Sequence, residues 1–282
     1  MGNTQSELNT SSNITNEPSQ NWSNVIEDDN QQVQKFGNIP LMPLRNYQCD
    51  LHIIPSSQTK GMRAIVITDT HLGKFFPGEP NIPILYNYLK DIVTENSANV
   101  IFWLGDMIDY RAQDRENLGQ KFLDAFSEFA IPIQFISGNH DRGIYRRLRV
   151  HGSMHYIQTK LLKIESPSTS NRPIFFAHDF GNPFKLSYEE IQSFLVTNKI
   201  AQRSKISPQD WLITGHTHAT YVDENLKVAS LAPFSIDMKS FCYGLLVENG
   251  GSFDMSLHKL ETKNSIESKV QMIEEKEEEN DA

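Results

Sequence analysis

Five times along the chain a short apolar run stops abruptly at a cluster of polar residues. Ala64-Ile65-Val66-Ile67 is continuous and largely β-branched, the pattern of a strand buried on both faces, and it ends in Thr68-Asp69-Thr70-His71. Ile84, Leu85, Tyr88, Leu89 and Ile92 then recur at helical spacing and predict a helix over 82–96. Val100-Ile101-Phe102-Trp103-Leu104 predicts a second buried strand, ending in Gly105-Asp106-Met107-Ile108-Asp109. Leu118, Phe122, Phe126 and Phe129 predict a helix over 116–129, and the run 131–136 a third strand, ending in Gly138-Asn139-His140-Asp141. Strand, helix, strand, helix, strand is the signature of parallel strands joined by helical crossovers, whose functional groups collect at the strands' carboxyl ends.

The second half of the pattern is richer in strands. Short runs at 154–158 and 161–165 precede Pro173-Ile174-Phe175-Phe176-Ala177, which ends in His178-Asp179. A helix is expected over 187–200, and 210–214 leads into Gly215-His216-Thr217-His218. Runs at 219–222, 228–231, 241–247 and 253–260 read as strands, the last two joined through Gly250-Gly251, a hairpin signal. Residues 51–54 read as a short leading strand. Residues 1–45 lack hydrophobic periodicity and are expected to be disordered, and 261–282 to form an acidic tail, leaving 62–260 as the folded domain.

Charge follows the same division. The net charge is −9, but residues 1–34 hold five acids and no Lys or Arg, and the last twelve hold six acids and Lys276. Each end therefore carries −5 and the stretch between about +1, so the acidity belongs to the ends and not to the folded part. No long basic stripe is present, which argues against nucleic acid as a partner. No apolar run approaches the ~20 residues of a membrane span, and no signal-peptide core is visible. With only Cys49 and Cys242, the chain reads as a cytoplasmic protein with reduced thiols. The opening Met-Gly-Asn-Thr-Gln-Ser matches an N-myristoylation pattern with Gly2 as acceptor, which would add a weak, reversible, peripheral membrane association.

The polar clusters carry the chemistry. Asp69-x-His71, Asp106 with Asp109, Asn139-His140-Asp141, His178 and His216-x-His218 each stand behind an apolar strand. If the backbone stays extended, the first and third residues of D-x-H and H-x-H share one side and can face one cation. Imidazole, carboxylate and amide together suit Mn, Fe, Zn or Ni better than a site selected by thiolates. Two such cations ~3.5–4 Å apart could share a carboxylate and clamp a water. Taken singly, the D-x-H and Gly-Asn-His-Asp motifs are ordinary caps or turns, whereas the two imidazoles of His216-x-His218 are seldom explained by packing alone; the occurrence of all five in order is what points to one site. His52, His151, His155 and His258 stand outside the pattern, although His151 and His155 lie close to it in sequence.

Asp69-x-His71, Gly105-Asp106-x-x-Asp109, Gly138-Asn139-His140-Asp141, His178 and Gly215-His216-x-His218, in this order, resemble the motifs of the calcineurin-like metallophosphoesterase superfamily over about residues 62–260. The resemblance implies an α+β or α/β chain in a four-layer fold, a two-sheet β-sandwich flanked by helices. It implies that Asp69, His71, Asp106 and His218 hold one divalent ion, and that Asp106 bridges to a second held by Asn139, His178 and His216, with manganese the first choice of metal. A hydroxide between the ions would attack phosphorus in line. His140 would stabilise the transition state or protonate the leaving group, with Asp141 as its orienting carboxylate and Asp109 behind the ligands. Arg111 stands where many relatives carry Gly, a difference that touches a loop and not the ligands. Arg142, Arg146, Arg147 and Arg149 form a basic cluster after the third motif that could receive the distal part of an anionic substrate; Arg146, Arg147 and Arg149 read as a solvated helix face.

These features lead to a di-metal hydrolase of small phosphorylated substrates, phosphomonoesters or phosphodiesters. The alternative is a non-catalytic interaction scaffold with the same fold. Scaffold relatives tend to lose catalytic side chains, and this chain keeps them all. The superfamily's lipid-linked pyrophosphohydrolases typically carry Arg in place of His140, which disfavours that class.

Overall fold

The computed structural model describes residues 51–75, 77–141, 143–159, 161–168, 171–179, 206–207, 210–223 and 227–260. The expectations for 1–45, the helix over 187–200 and the tail from 261 fall outside these residues. The described elements are β1 (Leu51–Ile54), β2 (Arg63–Ile67), α1 (Asn81–Glu95), β3 (Val100–Trp103), α2 (Arg115–Ser127), β4 (Ile133–Phe135) and β5 (Met154–Tyr156). They continue with β6 (Leu161–Ile164), β7 (Ile174–Ala177), β8 (Trp211–Thr214), β9 (Tyr221–Asp223), β10 (Val228–Ser230), β11 (Phe234–Ser235), β12 (Ser240–Asn249) and β13 (Ser252–Lys259). Among the described residues no helix is long and apolar enough to cross a membrane.

The strands form two sheets. In the first the order is β11-β12-β2-β3-β4-β5, with β13 also paired to β12; in the second it is β1-β6-β7-β8-β10-β9. β2 through β5 run parallel, as the strand–helix alternation predicts, and β12 closes the row antiparallel to β2. The leading strand β1, ahead of residue 62, is an edge strand of the second sheet, parallel to β6. Gly250 and Gly251, at φ +58° and +92°, make the tight β12–β13 hairpin, because a two-residue loop favours the left-handed backbone that glycine adopts freely.

Strand alternation divides the core in two. Ile65, Ile67, Ile101, Trp103, Ile133 and Phe135 point outward under α1 and α2. Ala64, Val66, Val100 and Phe102 point inward against Leu162, Ile164, Ile174, Phe176 and Ile213 of the second sheet. Phe102 stacks on Phe176 across this seam with ring centres 5.3 Å apart. A strand buried on both sides must be apolar at every position, which is why β2 and β3 read as continuous runs. Burial of each Phe-sized side chain contributes roughly 1.5–3 kcal/mol, so the seam holds the two sheets in fixed register.

That register positions the polar clusters. Ile67, Trp103 and Phe135 lie abreast at the ends of β2, β3 and β4. Ala177 and Thr214 lie abreast at the ends of β7 and β8. The chain leaves both rows into polar loops, and these loops meet at one end of the sandwich.

Candidate metal centre

Each predicted residue emerges from one of these strand ends. Asp69 and His71 follow β2, Asp106 and Asp109 follow β3, Asn139 to Asp141 follow β4, His178 follows β7, and His216 and His218 follow β8. The loops after β2 and β3 are laced together by backbone bonds from Asp69 N to Gly105 O, His71 N to Asp106 O and Leu72 N to Met107 O, at 2.9–3.0 Å. Asp69, His71, Asp106 and His178 are buried, whereas His218 opens outward with 33% of its side chain exposed.

The local backbone departs from the extended geometry expected of D-x-H and H-x-H. Asp69, His71, Asp106, His216 and His218 all have positive φ, between +46° and +64°. Such a conformation costs a non-glycine residue of order 1–2 kcal/mol and persists only where the surroundings impose it. Here the imposing contacts include the loop-to-loop bonds and the carboxylate of Asp69, whose Oδ2 accepts Thr68 Oγ1–H and His216 N–H, both at 2.8 Å. The side chains converge because the loops coil, not because the strands continue.

Two groups of ligand type result. In one, Asp69 Oδ1 lies 3.5 Å from His71 Nε2 and 3.4 Å from His218 Nε2, and the two imidazole nitrogens are 3.0 Å apart. In the other, Asp106 stands with His178 and His216, with Asp106 Oδ2 3.2 Å from His178 Nε2. Asn139 Oδ1 reaches the same His178 nitrogen at 3.0 Å. Asp106 Oδ2 is also 3.7 Å from His71 Nε2, so this carboxylate joins the groups. A third group, His71, Asp109 and His140, is of a different kind. A single oxygen, Asp109 Oδ2, lies 3.0 Å from His71 Nδ1 and 3.3 Å from His140 Nδ1, behind both rings.

The donor set fits cations. Asp69 Oδ1 is buried without a hydrogen-bond partner among the described residues. His71 Nδ1 faces the Asp109 carboxylate and His178 Nδ1 faces Leu104 O at 2.7 Å; both partners can only accept, so both Nδ1 atoms carry hydrogen. In the neutral rings each Nε2 then aims a lone pair at oxygens that also carry lone pairs. That arrangement is relieved by a proton on each ring or by a cation between them.

Electrostatics shows the same tension. Burial pulls His178 down, but Asp106 against it, with Asp69 and Asp141 further off, overrides this and raises it to about 9. His71 is raised in the same way, burial opposing and Asp69 and Asp106 prevailing. Burial would lift Asp69, yet the close-lying His218 and His71 rings hold it far below the usual carboxylate range. His140 is lowered, burial outweighing Asp106. For His178 a raised folded-state value means that the protonated ring stabilises the metal-free fold fully below pH 6.5 and loses that contribution as pH rises toward 9. Chelator-treated protein is therefore expected to melt at progressively lower temperature across this interval in a thermal titration. Cation affinity measured over the same range should rise, because binding must release the ring protons.

Two assignments change. Asp141 is not the carboxylate that orients His140. Its oxygens accept the backbone N–H groups of Met107, Ile108 and Gly138 at 3.1–3.2 Å, tying the loop after β4 to the loop after β3. Fully buried there, it is pushed up to about 6 by desolvation, with Asp106 adding. The carboxylate beside His140 is Asp109, whose other oxygen accepts Arg111 N–H at 2.8 Å. The basic cluster is also not on a helix: residues 143–147 form turns, and Arg147 pairs with Glu116. Arg142 lies outside the described residues. His151 pairs with Asp124 on the surface.

Three contacts had no signal in the spacing. Arg115, at the start of α2, donates to the carbonyl of His140. The Tyr110 ring stands edge-on to His140 with centres 4.7 Å apart, and Asp179 lies 4.0 Å from His216. Tyr110 and Asp179 adjoin motif residues in sequence, so adjacency could have suggested them; Arg115 is reached only through the tertiary contact.

The glycines set how closely the loops meet. A Cβ on Gly138 would lie 2.0 Å from Asp106 Oδ1, and one on Gly215 2.0 Å from Thr68 Oγ1. Gly138→Ala is expected to lose roughly 2–3 kcal/mol in denaturant unfolding and to weaken cation binding, because the obstacle includes the bridging carboxylate itself. Unchanged stability would mean that the two loops do not meet this closely.

None of the curated proteins matches the chain. The chain is similar to a solution structure of a Thermotoga maritima protein, at 18% identity and TM-score 0.38, over 71% of this chain and 99% of that one. It is similar to a Vps29 single mutant from Entamoeba histolytica, at 14% identity and TM-score 0.37, over 71% and 100% of the two chains. A dimetal phosphatase from Danio rerio is similar at 10% identity and TM-score 0.44, over 70% and 95%. Likenesses at these scores carry no argument about activity. The family described as calcineurin-like phosphoesterase matches residues 62–220, more than half of the chain, a span that includes every strand end that supplies the centre. With two sheets meeting at a His/Asp cluster and a family match over that span, the chain belongs to the calcineurin-like phosphoesterase family.

Proposed function

We propose that the chain hydrolyses phosphate esters of small organic molecules at this centre, with two divalent cations, manganese first among them. The observation that carries the reading is the carboxylate of Asp106 standing between two sets of ligand atoms, with His140 beside it. Asp69, His71 and His218 would hold one cation and His178, His216 and Asn139 the other, with Asp106 common to both. Such a pair neutralises phosphoryl charge and brings the ionisation of water toward neutral pH.

The chain's own groups do the rest. His140 presents Nε2 toward the centre, 4.0 Å from Asp106 Oδ2, with 19% of its side chain open to an incoming molecule. It can hydrogen-bond a phosphoryl oxygen or the leaving oxygen. Asp109 Oδ2 faces the ring from the Nδ1 side at 3.3 Å, and Asp106 Oδ1 accepts the His140 backbone N–H at 2.8 Å, which holds the main chain. Burial of Asp69, Asp106 and His178 keeps bulk water from the floor of the site, where charge interactions are stronger.

Purified protein supplied with Mn²⁺ is expected to release the phenol from an aryl phosphate or from a bis-aryl phosphodiester. Running both esters side by side decides between monoester and diester. No metal-dependent turnover of either, across several divalent metals, would sink the enzyme reading and favour the non-catalytic scaffold. A cytoplasmic setting and Gly2 acylation belong to the same proposal; mass spectrometry of the mature N-terminus from the native host tests the acylation.

A further inference from the structure

A cavity of about 340 Å³ opens beside the centre, with His218 forming part of its wall. His218 turns Nε2 toward Asp69 and His71, and an occupant of the cavity would therefore lie one imidazole ring from the proposed cations. Thr220, Ser240 and Lys259 add two hydroxyls and an ammonium, and Cys242 and Leu257 add apolar surface. The register explains this lining. Cys242 pairs with Lys259 across β12 and β13, and Leu257, on the same face as Lys259, packs toward the seam between the sheets. The face that fills the core further along thus ends at a cation where the sandwich opens.

The lining is selective in charge. Among the described residues no Asp or Glu lines it. Lys259 makes no ion pair among the described residues. His258 also lines the cavity, but its ring is engaged, stacked on Tyr243 and bonded to Ser256. The free donors are therefore Lys259, Ser240 and Thr220, the last making only a 3.5 Å contact with Cys242 Sγ. Lysine and hydroxyl donors without acids are what a phosphate group requires. The volume is at the low end of small-molecule pockets, about 300–1,000 Å³, and admits more than a lone oxyanion.

We infer that this cavity receives a second phosphoryl group of the substrate, bound by Lys259 with Thr220 and Ser240, while the first phosphoryl group sits at the Asp106 centre. The favoured substrates are then small organic molecules that carry two phosphates. This inference rests on the phosphoesterase reading for its first phosphate and on the cavity alone for its second.

The test compares short alkanediol bisphosphates of increasing chain length with the matching alkyl monophosphates. Both series are titrated into the full-length chain by calorimetry and used as inhibitors of aryl phosphate hydrolysis. At one chain length the bisphosphate is expected to bind about tenfold tighter than its monophosphate, the gain of one charge-assisted contact at a partly open site. The ratio should fall toward one in Lys259→Ala and in Thr220→Trp, which fills the mouth, and should survive in Lys259→Arg. No gain at any length, or a gain that persists in both disruptive variants, would overturn the inference. If no metal supports aryl phosphate turnover, the phosphoesterase reading fails, while the calorimetric ratio still decides whether the cavity binds the second phosphate.

Discussion

Replacing Asp106 by alanine is expected to leave a folded chain that no longer takes up two divalent cations. In the proposed centre the carboxylate would be common to both cations; its Oδ2 lies 3.2 Å from His178 Nε2 and 3.7 Å from His71 Nε2. Its removal therefore weakens both sites together and not in sequence. Loss of an outer partner of a metal ligand already costs about 10–100-fold in affinity, and loss of a shared ligand should exceed that. Oδ1 also accepts the His140 backbone N–H, so alanine adds a structural loss of about 1–3 kcal/mol, which Asp106→Asn should largely spare. Metal analysis after equilibration with Mn²⁺ is the measurement. Two equivalents retained in both variants would show that Asp106 is not the bridge.

His140→Ala has the opposite signature, with cations kept and turnover lost. The ring contacts the centre only at its edge, and His71 keeps its own contact with Asp109 when His140 is gone. Removal of a positioned proton donor or hydrogen-bond donor costs typically 10²–10⁴-fold in rate. For Nε2 to donate to substrate while Nδ1 faces Asp109, the ring must be protonated. Burial lowers His140 below its ordinary value of 6.5, so the proton is held only on the acid side of that value. If the protonated ring donates, the rate falls as pH rises through its ionisation, and that limb disappears in the variant. A variant with unchanged kcat would remove His140 from the reaction.

Much of this was legible in the residues, for definite reasons. From Ala64 on, β2 is buried on both faces, as are β3 and β7, so their apolar runs are unbroken and their ends are marked by the first polar residue. α1 and α2 bury one face each against the first sheet, and their spacing shows it. The clustering of Asp69, His71, Asp106, Asn139, His178, His216 and His218 follows from strand ends lying abreast, a consequence of parallel pairing in both sheets. β11 was missed because two residues of strand carry no periodicity, and β9 starts later than its pattern because the loop from His218 occupies the first positions.

What failed was the local geometry of the loops and the matching of carboxylates to rings. Alternation in D-x-H and H-x-H holds only while the backbone is extended, and the left-handed backbone at Asp69, His71 and His216 is accompanied by bonds from other segments. Asp141 adjoins His140 in sequence, yet its carboxylate turns to three backbone N–H groups that would otherwise be buried unsatisfied. Asp109 is 31 positions before His140 and takes the role instead, because the loop after β3 folds over the end of β4.

By itself, the sequence determined which segments are strands and helices, where the polar residues leave them, and which ligand types are available. Those properties depend on near neighbours and on whether one face or two is buried. The tertiary structure alone decided which oxygen faces which nitrogen, that the Asp106 carboxylate lies within 4 Å of both His178 and His71, and that a cavity lined by no acid among the described residues opens beside His218. Those facts depend on contacts between loops brought together by sheet register, where angstroms, not residue order, set the chemistry.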